Sequence, residues 1–92
     1  YMKTYILINS TIKILTPDDI QVNDIYGIYQ KKQKALYEAN IANKIIKYNI
    51  YEIDLNTNII SNIIRFKNNK FLDKNNKIYS LDLVSIQKEF NF

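Results

Sequence analysis

Ninety-two residues, 47% of them hydrophobic and 13% aromatic, suffice for one domain with a core and are too few for two. A formal net charge of +4 with 24% charged residues excludes wholesale disorder, which needs low hydrophobicity and high net charge. Cysteine and histidine are absent, which excludes a disulfide framework, a thiolate metal site, a catalytic thiol and an imidazole base.

The chain holds 18 Ile, 13 Asn and 12 Lys against one Arg, one Gly and one Pro. Ile, Asn and Lys are encoded by A/T-rich codons, so this bias reads as a genome of high A+T content. It also supplies lysines and asparagines without any functional demand. Tyr1 precedes Met2 and reads as an added residue, with Met2 as the natural start. The run Tyr5 to Ile8 is too short for a signal peptide or a membrane span, so an intracellular, cytoplasmic protein is expected.

Residues 4–15 are rich in β-branched side chains, and Ile6, Ile8, Ile12 and Ile14 share one phase of a period-2 pattern. That predicts a half-buried strand, with Asn9-Ser10 as either a hairpin turn or a bulge. Pro17 is expected to end the strand, because it has no amide hydrogen to donate. Residues 18–24 read as a loop with room for one helical turn. Residues 25–29 read as a short strand, although Ile25 and Ile28 also fit the helix that follows. The main helix therefore starts near 25 or near 31.

Residues 31–44 form the clearest helix. Ala35, Ala39, Ala42 and Ile46 fall on one line, flanked by Leu36 and Ile45, which suits close packing on a sheet. Lys34, Tyr37, Glu38 and Ile41 take the other side. Residues 46–55 read as a strand whose alternation slips near 50, where a bulge is expected. Asn56 to Asn58 read as a turn and residues 59–66 as the next strand. The pairs Asn68-Asn69 and Asn75-Asn76 then stand where glycines are usual, and predict tight turns in a meander. Ser80 is expected to cap a helix over 81–90, with Leu83, Ile86 or Gln87, and Phe90 on one face.

The expected fold is α+β: one domain over residues 1–92, with an antiparallel or mixed sheet of about five strands. One main helix (about 31–44) packs on one face, and a short helix ends the chain.

Nothing in the sequence supplies a catalytic set or a cofactor-binding motif. Asp18, Asp19 and Asp24 lack the spacing and the glycine of a calcium loop. Glu52 and Asp54 share one side of a strand and read as its wet face. A single glycine forbids a glycine-rich phosphate loop. The expected function is therefore a non-catalytic binding protein whose partner is another protein. Eight tyrosines favour that reading, because tyrosine suits interfaces. Tyr37 and Ile41, neighbours on the outer helix face, are the candidate contact residues. Short, A/T-biased, one-domain chains without catalytic residues resemble in style the accessory proteins of phages and mobile elements. Many of these bind and inhibit a host complex, including defence complexes. The alternative is a small nucleic-acid-binding module. Arg65, Lys67, Lys70, Lys74 and Lys77 would hold phosphates, and Phe66, Phe71 and Tyr79 would stack bases. A third expectation is an oligomer paired through sheet edges.

Overall fold

The structure, a computed structural model, describes residues 2–90; Tyr1, Asn91, Phe92 and the side chains of Glu89 and Phe90 lie outside the described part. Six strands form one antiparallel sheet: β1 (Lys3–Asn9), β2 (Ile25–Tyr29), β3 (Tyr48–Asp54), β4 (Ile59–Lys67), β5 (Lys70–Leu72) and β6 (Ile78–Tyr79). Their order is β2-β1-β3-β4-β5-β6. Helix α1 (Lys32–Ala42) links β2 to β3, and α2 (Leu83–Phe90) follows β6. The α+β class holds, with one strand more than expected, because β5 pairs with the end of β4 and β6 pairs with β5.

Strands β2 and β3 both run antiparallel to β1, which lies between them. The β2–α1–β3 connection must therefore cross one face of the sheet, and α1 packs there. Ala35, Leu36 and Ala39 meet Tyr5, Leu7, Ile50, Ile64 and Phe71 in the first core. The alanines let the helix axis approach the strands closely. Gly27 serves the same face: the Tyr29 ring lies over it, and a Cβ at 27 would collide with that ring.

The opposite face has a second core of Ile6, Ile8, Ile14, Tyr51 and Ile53, with Ile12, Ile20 and Ile25 packed against it. Much of its cover is the segment between β1 and β2. The first strand ends at Asn9, well before Pro17, because the Asn9 side chain takes over the turn. Asn9 Oδ1 accepts hydrogen bonds from the amide and hydroxyl of Thr11 at 3.0 and 2.8 Å. The chain then folds back, and Ile12 and Ile14 reach the core from outside the ladder. Their shared phase with Ile6 and Ile8 was a sign of a common destination. Pro17 opens a 3-10 turn, Pro17–Asp19, closed by Asp19 Oδ2 accepting from the amides of Leu15 and Thr16. A second 3-10 turn, Val22–Asp24, leads into β2.

Helix α1 stops at Ala42 rather than 44. Asn43 is buried, and its side-chain oxygen accepts the amide of Tyr48. Its own amide donates to Ala39 O at 2.8 Å, so this one residue both closes the helix and starts β3. Ile46 is thereby removed from the alanine line.

The expected bulge near residue 50 is absent from β3, which pairs with β1 without a break from Asp54 to Tyr48. Residues 50–53 lose their alternation because both faces of β3 are covered. The extra residue lies on the partner strand: Glu52 faces Asn62 and Ile53 faces Ile60, leaving Ser61 as the bulge. The asparagine turns form as expected. Asn68 and Asn69 take φ of 53° and 62°, which makes a two-residue turn between β4 and β5. Asn58 and Asn76 also have positive φ.

Ser80 does not cap the last helix. Asp82 does, its Oδ1 accepting from the amides of Val84 and Ser85 and its Oδ2 from the Ser85 hydroxyl. The backbone of Ser80 is held by Gln33 of α1 instead. Gln33 Nε2 donates to Ser80 O at 3.1 Å, and Gln33 Oε1 accepts from Asp82 N at 2.6 Å. Among the described residues no helix is long and apolar enough to cross a membrane.

Candidate interaction surfaces

A dense polar cluster sits where α1 begins. Glu52 lies on the helix side of β3 and is only 4% exposed, so it does not belong to a wet face. Lys3 Nζ is 2.9 Å from its Oε1, Ser61 donates to the same oxygen at 2.8 Å, and Lys32 Nζ is 3.7 Å from its Oε2. Burial alone would raise the Glu52 carboxyl. The hydrogen bonds from Lys3 and Ser61 and the charges of Lys3 and Lys32 outweigh it and hold the group below its usual value. Asp54, paired with it in the sequence reading, turns instead to the next loop and accepts the amide of Asn56 at 2.9 Å.

Tyr79 extends this cluster. Its hydroxyl donates to Asp73 Oδ2 and accepts from Asn62 Nδ2, both at 3.0 Å. Lys32 and Lys77 place their ammonium groups 5.1 and 5.3 Å from its ring centroid. Burial first, then the Asp73 carboxylate, pushes the phenol up. Asp73 in turn sits below its usual value: some desolvation raises it, but bonds from the Lys77 amide, the Tyr79 hydroxyl and the Asn75 amide prevail. Every named group answers another, and the cluster fastens α1, β1, β3, β4 and β6 together. Among the described residues no set of three His, Cys, Asp or Glu side chains could hold a metal ion, the Asp18, Asp19 and Asp24 group included.

The nucleic-acid candidates separate by strand parity. Ile64, Phe66 and Phe71 belong to the α1 face, where Phe66 packs against the first core and Phe71 is buried. Their rings lie 4.9 Å apart, centroid to centroid. Arg65 and Lys67 alternate with them and take the far face, and the pairs Arg65↔Leu72 and Lys67↔Lys70 put Lys70 there too. Lys74 lies beside Arg65 on a shared hollow with Ile63. Lys77 is turned over Tyr79. The structure thus brings four of the five cations together. It removes the expected stacking rings from them, because alternate residues of a strand cannot share a face.

The protein-contact candidates lie one turn apart on α1. Tyr37 is half-buried, and Ile41 is 44% exposed. The turn after the helix adds two residues that the sequence reading placed against the sheet. Ile45 is 90% exposed and Ile46 47%. Their exposure follows from the early helix stop at Asn43. The signal was Asn43 itself, a poor helix former with a polar side chain able to bond local backbone.

The sheet has two edge strands, β2 and β6. Tyr26 is the extra residue of a bulge in β2, between the pairs Leu7↔Gly27 and Ile8↔Ile25, and its ring meets Tyr48 at 4.9 Å. A bulge of this kind roughens an edge and disfavours simple strand addition. No family model, no curated protein and no solved structure matches this chain.

Proposed function

We propose that this chain is a non-catalytic binding protein that acts by contact with another protein, and that the end of α1 is its docking surface. One observation carries this reading. Ile41, Ile45 and Ile46, three β-branched apolar side chains within six residues, all stand exposed at the point where α1 turns into β3. Solvent-exposed apolar groups are unremarkable singly, but grouped on one turn they mark a contact site. Lys44, also exposed, stands among them and favours a partner with an apolar cleft and an acidic rim. The specific form we favour is an accessory protein of a phage or mobile element, acting in the cytoplasm to inhibit a host defence complex. The A/T-biased composition supports it.

The test is a comparison of the native chain with the triple variant Ile41→Ser, Ile45→Ser, Ile46→Ser. All three side chains are exposed, so the circular dichroism spectrum and melting temperature should stay close to native. Immobilised native protein should retain a partner from lysate of its cell of origin, and the variant should lose it. Equal retention by both would remove the α1 end from the interface. The nucleic-acid alternative keeps its phosphate-binding cations and loses its stacking rings, which lowers it to an electrostatic reading.

A further inference from the structure

The far face of the sheet is covered unequally. Over β1 and β3 the segment 10–24 lies on it, through Ile12, Ile14 and Ile20. Beyond Ile60 and Ile63 no described element covers it. The strip left open carries Arg65, Lys67 and Lys70 on the β4–β5 hairpin, with Lys74 in the following loop. Leu72, paired with Arg65, and Ile78, paired with Leu72, give the same strip an aliphatic line, and Ile78 is 55% exposed.

This surface sets like charges side by side. Lys67 and Lys70 face each other directly across the turn, and Arg65 lies two residues along on the same face. Like charges opposed in this way destabilise a sheet. Among the described residues none of these three, nor Lys74, enters an ion pair. Asp73, the nearest acid in sequence, is already occupied by the amides of Asn75 and Lys77 and by the Tyr79 hydroxyl. Among the described residues no acid answers these cations, so an acidic partner would find them unpaired.

The shape narrows the source. Three strands about 4.8 Å apart make a strip roughly 10–15 Å wide, which is the width of one α-helix with its side chains. A strand of three residues runs about 10 Å, close to two helical turns. Single-stranded nucleic acid would want aromatic platforms, and the rings of this hairpin point to the other face. We propose that the β4–β6 strip docks an acidic amphipathic helix of a partner protein. The carboxylates of that helix would meet Arg65, Lys67, Lys70 and Lys74, and its aliphatic row would cover Leu72 and Ile78. This surface is separate from the α1 end, and the two readings stand or fall apart.

The experiment uses the full chain and three labelled probes in a fluorescence anisotropy titration. The probes are a helical peptide with a leucine row and glutamates on the flanks, a polyglutamate peptide of equal charge, and single-stranded DNA. The expected result is binding of the helical peptide at least tenfold tighter than either other probe. The variant Arg65→Glu, Lys70→Glu should lose at least tenfold of that affinity. The variant Ile78→Ser should lose severalfold, while Ile45→Ser changes nothing. All three variants alter exposed residues, and a native-like melting curve confirms that they fold. Tighter binding of DNA, equal binding of polyglutamate, or no binding of the helical peptide would each overturn the proposal. So would charge-reversal variants that bind as the native chain does.

Discussion

The two halves of the sheet are built to different standards. Around β1 and β3 both faces are closed, and the runs Tyr5–Ile8 and Ile50–Ile53 are buried at every position. Around β5 and β6 only the α1 face is closed, and burial falls to Phe71 alone. A strand closed on both sides can carry a continuous apolar run, whereas one closed on a single side must alternate. The second half departs from that rule in one respect: its open face pairs cations with aliphatics where a solvated face would mix charges of both signs.

The largest expected difference between the halves is in packing. Ile8→Ala, in the fully buried core, should destabilise by about 2–5 kcal/mol. Ile78→Ala, at an exposed position, should cost less than about 0.5 kcal/mol. Urea unfolding of both variants measures the contrast, and similar losses would mean that the strip is covered in the isolated protein.

The next effect lies at the seam between the halves, where Glu52 joins β1, β4 and α1. Its carboxyl is depressed in the folded state, so its contribution is fully present above the ordinary glutamate value. That contribution is lost as pH falls from there through the lower folded value. Asp73 and Asp82 titrate in the same direction, so the Glu52 share is isolated by Glu52→Gln. This variant should cost about 1–3 kcal/mol at pH 7 and unfold with a shallower dependence on acid. An unchanged slope would show that the cluster is fastened by something other than the Glu52 charge.

The smallest effect tests the opposed like charges. Lys70→Glu replaces a like-charge cross-strand pair with Lys67 by an opposite one and should stabilise by about 0.2–1 kcal/mol at low salt. The gain should shrink as salt rises, and a melting series in sodium chloride reads it. A loss of stability would mean that the two ammonium groups already have a compensating neighbour.

Local chemistry was legible in the sequence. The asparagine pairs were read as turns because Asn tolerates positive φ better than other non-glycine residues, and the turns formed there. The alanine line on α1 faces the sheet as spacing demands. What stayed hidden depends on contacts between distant residues. The helix stop at Asn43 needs the Tyr48 amide, the burial of Glu52 needs Lys3 and Lys32, and the hold on Ser80 needs Gln33, 47 residues away. The candidate surfaces divided in the same way. The charges of Arg65, Lys67, Lys70 and Lys74 are visible in order, and alternation alone sets Arg65 and Lys67 opposite Phe66, but the joining of Lys70 to Lys67 and of Phe71 to Phe66 required the register of the hairpin. Spacing puts Tyr37 and Ile41 on the outer side of α1 and Ile45 and Ile46 inward, but the helix ends before the last two.

The strand order also dictates a sequence of events during folding. β1 meets β3 through pairs between 39 residues apart, Asn9 with Tyr48, and 51 apart, Lys3 with Asp54. β4 meets β5 through pairs only 3 to 7 residues apart. Closing a long loop must be achieved before its contacts repay the lost entropy, so the slow step belongs to the first strand. On a ribosome β1 emerges first, yet it waits for residue 54 before its ladder with β3 can close. The meander that follows zips by neighbours. The half of the sheet that forms most locally is therefore the half that keeps one face bare.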